Sequence, residues 1–384
     1  MKSTDSATRA ETGGICFRAA SEAKLKREIA HLRDRLACLN LPGASVGGSG
    51  SAVSGSFAGI RVDHSIAREW ALGTDTTGLC EKLGFDPVNK ADDLEREILL
   101  AMLLSPVVFE FGSYDELASA IRVRRNIVVA ARATTLAFDT TRAAERPAEY
   151  WTYHEGRGFT LLPGRPLIDA LRRATQPRIS GQLYAFSCYR ATEYVILLGL
   201  AEELLTCNPP LLDRLQRQWE TRAIISGKFH EVFLHEYGSM DAPLPPRYYV
   251  PGDRLWFRNP DDASSDVTGY EGSWVFYLGG GLFTNFWQSN RPYTLTSKCL
   301  EIYHWRHGIR RDNPSANSWI DEEIVESRVQ ASLADSRETR EILDRMMRLR
   351  DPQGVYRDGG CIDTSREYPR RICPGTLGLA LPDA

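Results

Sequence analysis

Between residues 22 and 39, Leu25, Ile29, Leu32, Leu36 and Leu39 recur at spacings of four and three, with charged residues between them. This period predicts an amphipathic helix with a heptad-like seam, which either docks on the body of the protein or joins a second copy. The preceding residues, 1 to about 20, are polar and read as disordered. After the helix, residues 43–55 are almost entirely glycine, serine and alanine, the composition of a flexible linker. The glycines lack the Gly-Lys-Ser/Thr ending of a phosphate-binding loop.

Residues 92–104 carry a helical pattern stopped by Ser105-Pro106, and residues 107–111 read as a strand. Ser113 then caps a long helix from Asp115 to about Thr140, with Glu116 placed to complete a capping box. Alternation over 151–162 predicts a hairpin, 167–174 a short helix, and 194–206 a buried helix. Beyond Pro245 the pattern turns strand-like at 247–250, 254–257, 273–278, 282–287 and 300–305, with turns at Pro251-Gly-Asp and Asn259-Pro-Asp. Helices first and an antiparallel sheet later define an α+β class. Residues 322–350 read as a charged helical region and the last 30 or so as loop. The expected organisation is an N-terminal extension over 1–57, a catalytic domain over 58–310 and a helical and loop extension over 311–384.

With 42% hydrophobic and 25% charged residues, the 384-residue chain has enough apolar material for one large domain with extensions or for two domains. The formal net charge of -3 supplies no global basic field, so nucleic acid and anionic membranes are not expected partners. The first ten residues have no apolar core and no apolar run reaches membrane-spanning length, which suggests a cytoplasmic protein. The eight cysteines contain no CxxC pair, so neither a zinc site nor a metal cofactor is expected. Cys361 and Cys373 are close enough in sequence to pair under oxidising conditions.

One cysteine has a setting suited to chemistry. Cys188 follows a turn-rich stretch (Pro177, Ser180, Gly181) and precedes the apolar helix. A thiol at a helix N-terminus is favoured as thiolate by the unpaired N–H groups there, and the thiolate is the nucleophile of covalent acyl transfer. The bland alternative is a small buried hydrophobe. For a base, a papain-like order would use a later histidine, His304 or the neighbouring His307. Burial could instead tune Glu271, which lies between Tyr270 and Trp274 at the start of an aromatic strand. Phe186, Trp274 and Phe286 are candidates for an apolar substrate passage, with ordinary core packing as the alternative.

Three blocks of residues carry a resemblance to a known family. Residues 105–131, with Ser105-Pro-Val-Val-Phe-Glu-Phe and Arg122-Val-Arg-Arg-Asn126, form the first. Tyr184-Ala-Phe-Ser-Cys188 is the second, and Gly252-Asp-Arg-Leu-Trp-Phe-Arg-Asn259-Pro260 followed by Leu278-Gly279 the third. In order and spacing they resemble the small spore-coat transglutaminases of Bacillus, protein-glutamine γ-glutamyltransferases. The resemblance implies a compact NlpC/P60-like variant of the papain-like fold, with Cys188 as nucleophile. It implies a thioester formed from a glutamine carboxamide and resolved by a lysine amine, and no need for calcium. It also implies protein partners bearing accessible glutamine and lysine. Where the family has a glutamate before the cysteine, this chain has Ser187. Where the family's later strand carries a glutamate, an ungapped count gives Ser273, with Glu271 two residues earlier and on the same side of an extended strand. The family's following histidine is absent from Thr284-Asn285-Phe286-Trp287, where Asn285 offers only a hydrogen bond. A glutamine deamidase, a papain-like hydrolase using His304 and a degenerate binding or scaffold protein remain open at this point.

Overall fold

The computed structural model describes residues 13–41, 43–52, 55–71, 74–139, 144–223, 226–312, 317–351, 359–376 and 378–381. It is an α+β structure with two main sheets. The first has four strands in the order Ala44–Ala52, Gly55–Val62, Gly14–Ala19 and Val108–Phe111. The pairs among its first three strands are antiparallel, and Gly14–Ala19 runs parallel to Val108–Phe111.

This sheet corrects two expectations. The glycine and serine stretch is not a linker but forms the strand Ala44–Ala52, which pairs with Gly55–Val62. Backbone ladders need no particular side chains, so a partner strand can recruit a sequence that has no intrinsic β-pattern. The polar N-terminal stretch likewise contributes Gly14–Ala19, while residues 1–12 lie outside the described residues. The helix Glu22–Cys38 buries Leu25, Leu32 and Leu36 in the main core, so its seam docks on its own chain.

The second sheet has six strands, ordered Tyr293–Thr294, Leu282–Phe283, Gly272–Gly279, Arg254–Arg258, Arg366–Pro369 and Leu234–Tyr237, all antiparallel. The strand Arg366–Pro369, from a tail expected to be loop, lies inside this sheet. The C-terminal segment is therefore built into the same fold as the central residues.

The strand Gly272–Gly279 separates two apolar cores by simple alternation. Phe276 and Leu278 join the larger core with the long helices, while Val275 and Tyr277 join a smaller one on the opposite face. The larger core surrounds the helix Cys188–Cys207, which is buried along most of its length. It packs across Tyr114–Ala133, the helix capped by Ser113 as expected. The carboxylate of Glu116 there accepts from Gly112 N–H at 3.0 Å rather than from the cap residue itself.

These two helices approach closely at Gly199, where an added Cβ would lie 2.6 Å from Ile127 Cγ1 and 3.0 Å from its backbone nitrogen. Gly199→Ala is expected to destabilise the protein by about 1–3 kcal/mol, because a methyl group forced between two backbones cannot be absorbed by a rotamer change. Chemical denaturation of the variant checks this, and an unchanged midpoint would contradict the close crossing.

The smaller core is closed by the helices Leu295–Gly308, Glu322–Ala334 and Ser336–Met346. The first of these corrects another expectation, since residues 300–305 were read as a strand. Thr294 and Ser297 form a reciprocal capping box that starts the helix. Once started, it is enclosed on several sides, with Cys299, Leu300, Ile302, His304 and Trp305 all buried. A helix buried all round has no 3.6-residue stripe to betray it.

Candidate active site

Cys188 is the first residue of its helix. Ser187 is the N-cap, its side chain accepting the Arg190 N–H at 3.3 Å. Ser187 is thus committed to starting the helix. The parallel bridge of Ala137–Phe138 with Ala185–Phe186 holds the approach to this turn.

Cys188 opens into a cavity of about 700 Å³ at the seam between the two cores. Phe138, Tyr270, Trp287, Tyr293 and Trp305 supply its aromatic walls. Its charged lining comes from Arg291, Lys298, Glu301, Glu322 and Glu326. Burial pushes the Cys188 thiol above its ordinary pKa. Backbone groups of Trp274, Tyr189 and Cys188 itself, and the positive charge of Lys298, act in the opposite sense and favour the thiolate.

Ser273 lines the cavity from the first turn of the pleat in Gly272–Gly279. Asn285 lines it too, but its side chain is committed to shaping the rim. Its Oδ1 accepts the N–H groups of Trp287 at 3.2 Å and Gln288 at 3.0 Å, and its Nδ2 donates to the Arg291 carbonyl at 3.1 Å.

Five other expected site residues, Glu271, His304, Phe186, Trp274 and Phe286, are absent from the cavity lining. The strand begins at Gly272, so the alternation that would aim Glu271 with Ser273 does not extend to it. Glu271 is exposed, is absent from the cavity lining, and accepts the Gly269 N–H at 3.1–3.2 Å. Glu271→Gln is accordingly expected to keep turnover within about twofold of wild type, because a solvated acceptor contributes little at a distance. A hundredfold loss in kcat would contradict this placement.

His304 lies on a helix rather than a strand and points into the interhelical packing. Its Nε2 pairs with Ser332 Oγ at 2.8 Å and its Nδ1 with His307 Nδ1 at 2.9 Å. Burial, followed by the charges of His307, Arg328 and Arg306, lowers its pKa to about 4, so it is a neutral packing residue at pH 7. Phe186 and Phe286 belong to the larger core, Phe186 meeting Tyr194 edge to face at a centroid distance of 5.0 Å. Trp274 stacks on Trp256 and carries the Arg254 guanidinium 4.4 Å from its ring centroid. The expected passage aromatics are therefore structural, and the lining rings are a different set.

The sequence reading missed Lys298, Glu301 and Tyr293. Lys298 is almost fully buried yet charged, and its ammonium bonds the Glu301 carboxylate three residues along the helix. The other oxygen of Glu301 accepts the Tyr293 hydroxyl at 2.7 Å. Lys298 Nζ also sits 4.2 Å from the Tyr293 ring centroid. The available signal was Thr294 followed by Ser297, a helix start that puts Lys298 and Glu301 on one face.

A thiol at a helix start, opening into a cavity that also holds a buried lysine–carboxylate pair, is an arrangement suited to covalent acyl transfer. The model of the protein-glutamine gamma-glutamyltransferase family matches residues 80–361, and the chain belongs to that family. The enzyme of that name from Halalkalibacterium halodurans is 27% identical over 205 residues, 50% of this chain and 62% of the relative. The Bacillus licheniformis protein is 28% identical over 176 residues, 44% of this chain and 63% of the relative. The alignments thus span less than two thirds of these relatives. A transglutaminase structure from Geobacillus stearothermophilus, without its C-terminal extension, aligns over 56% of this chain and 96% of that one, at 21% identity and a TM-score of 0.38. Among the described residues no helix is long and apolar enough to cross a membrane.

Proposed function

We propose that this chain joins glutamine and lysine side chains of protein substrates through a thioester on Cys188. The observation that carries the reading is the placement of Cys188, the first residue of a buried helix, in the wall of the 700 Å³ cavity. Family membership supplies the substrate class. In the first step the sulfur–carbon bond forms and the carbon–nitrogen bond of the glutamine carboxamide breaks. The thiol proton leaves on nitrogen as ammonia. In the second step a lysine amine displaces the sulfur, gives an isopeptide bond, and returns one proton to the thiol.

Backbone N–H groups at the helix start favour the thiolate and are placed to stabilise an oxyanion. The aromatic walls limit water, which favours the amine over hydrolysis. A papain-like core, with the nucleophile helix packed on the strand Gly272–Gly279, is the topology that goes with this chemistry, and neither step calls for calcium or another cofactor.

Incorporation of a fluorescent primary amine into casein, with ammonia release followed in parallel, tests the proposal. Cys188-dependent incorporation is the expected result. Ammonia without incorporation would indicate a deamidase, and neither signal with several glutamine proteins would indicate a binding domain.

A further inference from the structure

The helix Leu295–Gly308 brings a cation and a carboxylate, Lys298 and Glu301, into the cavity. Lys298 and Glu301 both line the cavity that Cys188 opens into, and both are held in place. The Lys298 side chain is only 3% exposed. An ammonium is seldom buried so deeply without a function or a full set of partners, because its desolvation costs several kcal/mol. Glu301 offsets that cost by ion pairing, and the Tyr293 ring and hydroxyl fix both members.

We propose that Lys298 is the electrostatic partner of the Cys188 thiolate across the cavity that both line, with Glu301 and Tyr293 as positioning residues that hold the ammonium in place. This inference rests on the assignment of Cys188 as nucleophile made above. Lys298 and Glu301 neither give nor take a proton in either step. The thiol proton still leaves with the amide nitrogen, and the lysine lowers the cost of separating that proton from sulfur.

The other charged or titratable groups around the cavity are Arg291, Tyr270, Tyr293, Glu322 and Glu326. Arg291 pairs with Glu326 at 3.1 Å and Tyr270 donates to Glu322 at 2.6 Å. Arg254, behind Trp274, pairs with Glu367. Lys298 lines the same cavity as Cys188, and its positive charge favours the thiolate.

The test is the pH dependence of Cys188 alkylation by iodoacetamide, a neutral reagent that reads the thiolate fraction. Peptide mass spectrometry isolates Cys188 from the other cysteines. Lys298→Met is expected to slow alkylation at pH 8 about tenfold and to move the profile upward by about one pH unit. Lys298→Arg keeps the charge and is expected to stay within about threefold of wild type. Lys298→Met strands the Glu301 carboxylate, so Lys298→Met/Glu301→Gln is the second variant. It leaves no unpaired buried charge and is expected to show the same upward shift.

A double-variant profile that overlays wild type would overturn the proposal. Alkylation needs no turnover, so the two assignments fail separately. A lysine-dependent profile without amine incorporation keeps the pair and removes the transglutaminase reading. Incorporation with a lysine-independent profile does the reverse.

Discussion

Cys188→Ala is expected to lower amine incorporation and ammonia release at least about a thousandfold while leaving the fold intact. The size of the effect follows from covalent chemistry: without the sulfur no thioester forms, and the remaining backbone donors and binding surface supply only residual rate enhancement. The fold survives because the capping interaction belongs to Ser187 and not to the cysteine. Cys188 is only partly buried and already faces the cavity, so losing its sulfur costs about 1 kcal/mol or less. Parallel kinetics and thermal melts of the purified variant check both halves. Retained turnover would place the nucleophile elsewhere, while unfolding would make Cys188 a packing residue.

Asp253→Ala is expected to destabilise the protein by about 3–5 kcal/mol, the largest stability loss expected of a single substitution here. Arg124 Nη1 donates to Asp253 Oδ1 at 2.7 Å, and both side chains are buried. The second carboxylate oxygen accepts the Val250 N–H at 2.8 Å and the Tyr237 hydroxyl. One carboxylate thus ties the helix Tyr114–Ala133, the turn entering Arg254–Arg258 and the edge strand Leu234–Tyr237. Gly252 is needed at that turn: its φ is 87°, and a Cβ would lie 3.0 Å from the Arg124 Cα. Removing the carboxylate leaves a guanidinium in the core with part of its pairing lost. Arg124→Met/Asp253→Leu is expected to recover much of the loss, because it removes both charges together. Denaturant unfolding of the two variants measures this, and a loss under about 1 kcal/mol for Asp253→Ala would show that water or side chains compensate.

What could be read from sequence followed the strength of the local signal. Ser113 and the apolar run after Cys188 gave the two long helices because capping and continuous burial each leave a pattern in the chain. The strand Gly272–Gly279 was legible from its run of aromatic and β-branched residues. The strand Ala44–Ala52 was not, because its glycines and serines carry no β-pattern of their own and its place is set by pairing with Gly55–Val62. The helix Leu295–Gly308 was misread because its enclosure removes amphipathicity, and that error concealed Lys298 and Glu301, which lie on it. The placement of Cys188 at a helix start was legible because a turn followed by an apolar run marks it. Its surroundings come from Phe138 and two distant segments, 269–305 and 322–333, that no local pattern joins to residue 188.

The most direct measurement is trapping of the acyl-enzyme. The protein would be incubated with a short glutamine peptide in the absence of amine, quenched in acid and analysed as an intact chain and then as peptides by mass spectrometry. The account predicts an adduct equal to the glutamine peptide less one ammonia, carried by the fragment containing Cys188 and lost on brief exposure to hydroxylamine. Ammonia release with no adduct on that fragment, or an adduct that persists in Cys188→Ala, would contradict it.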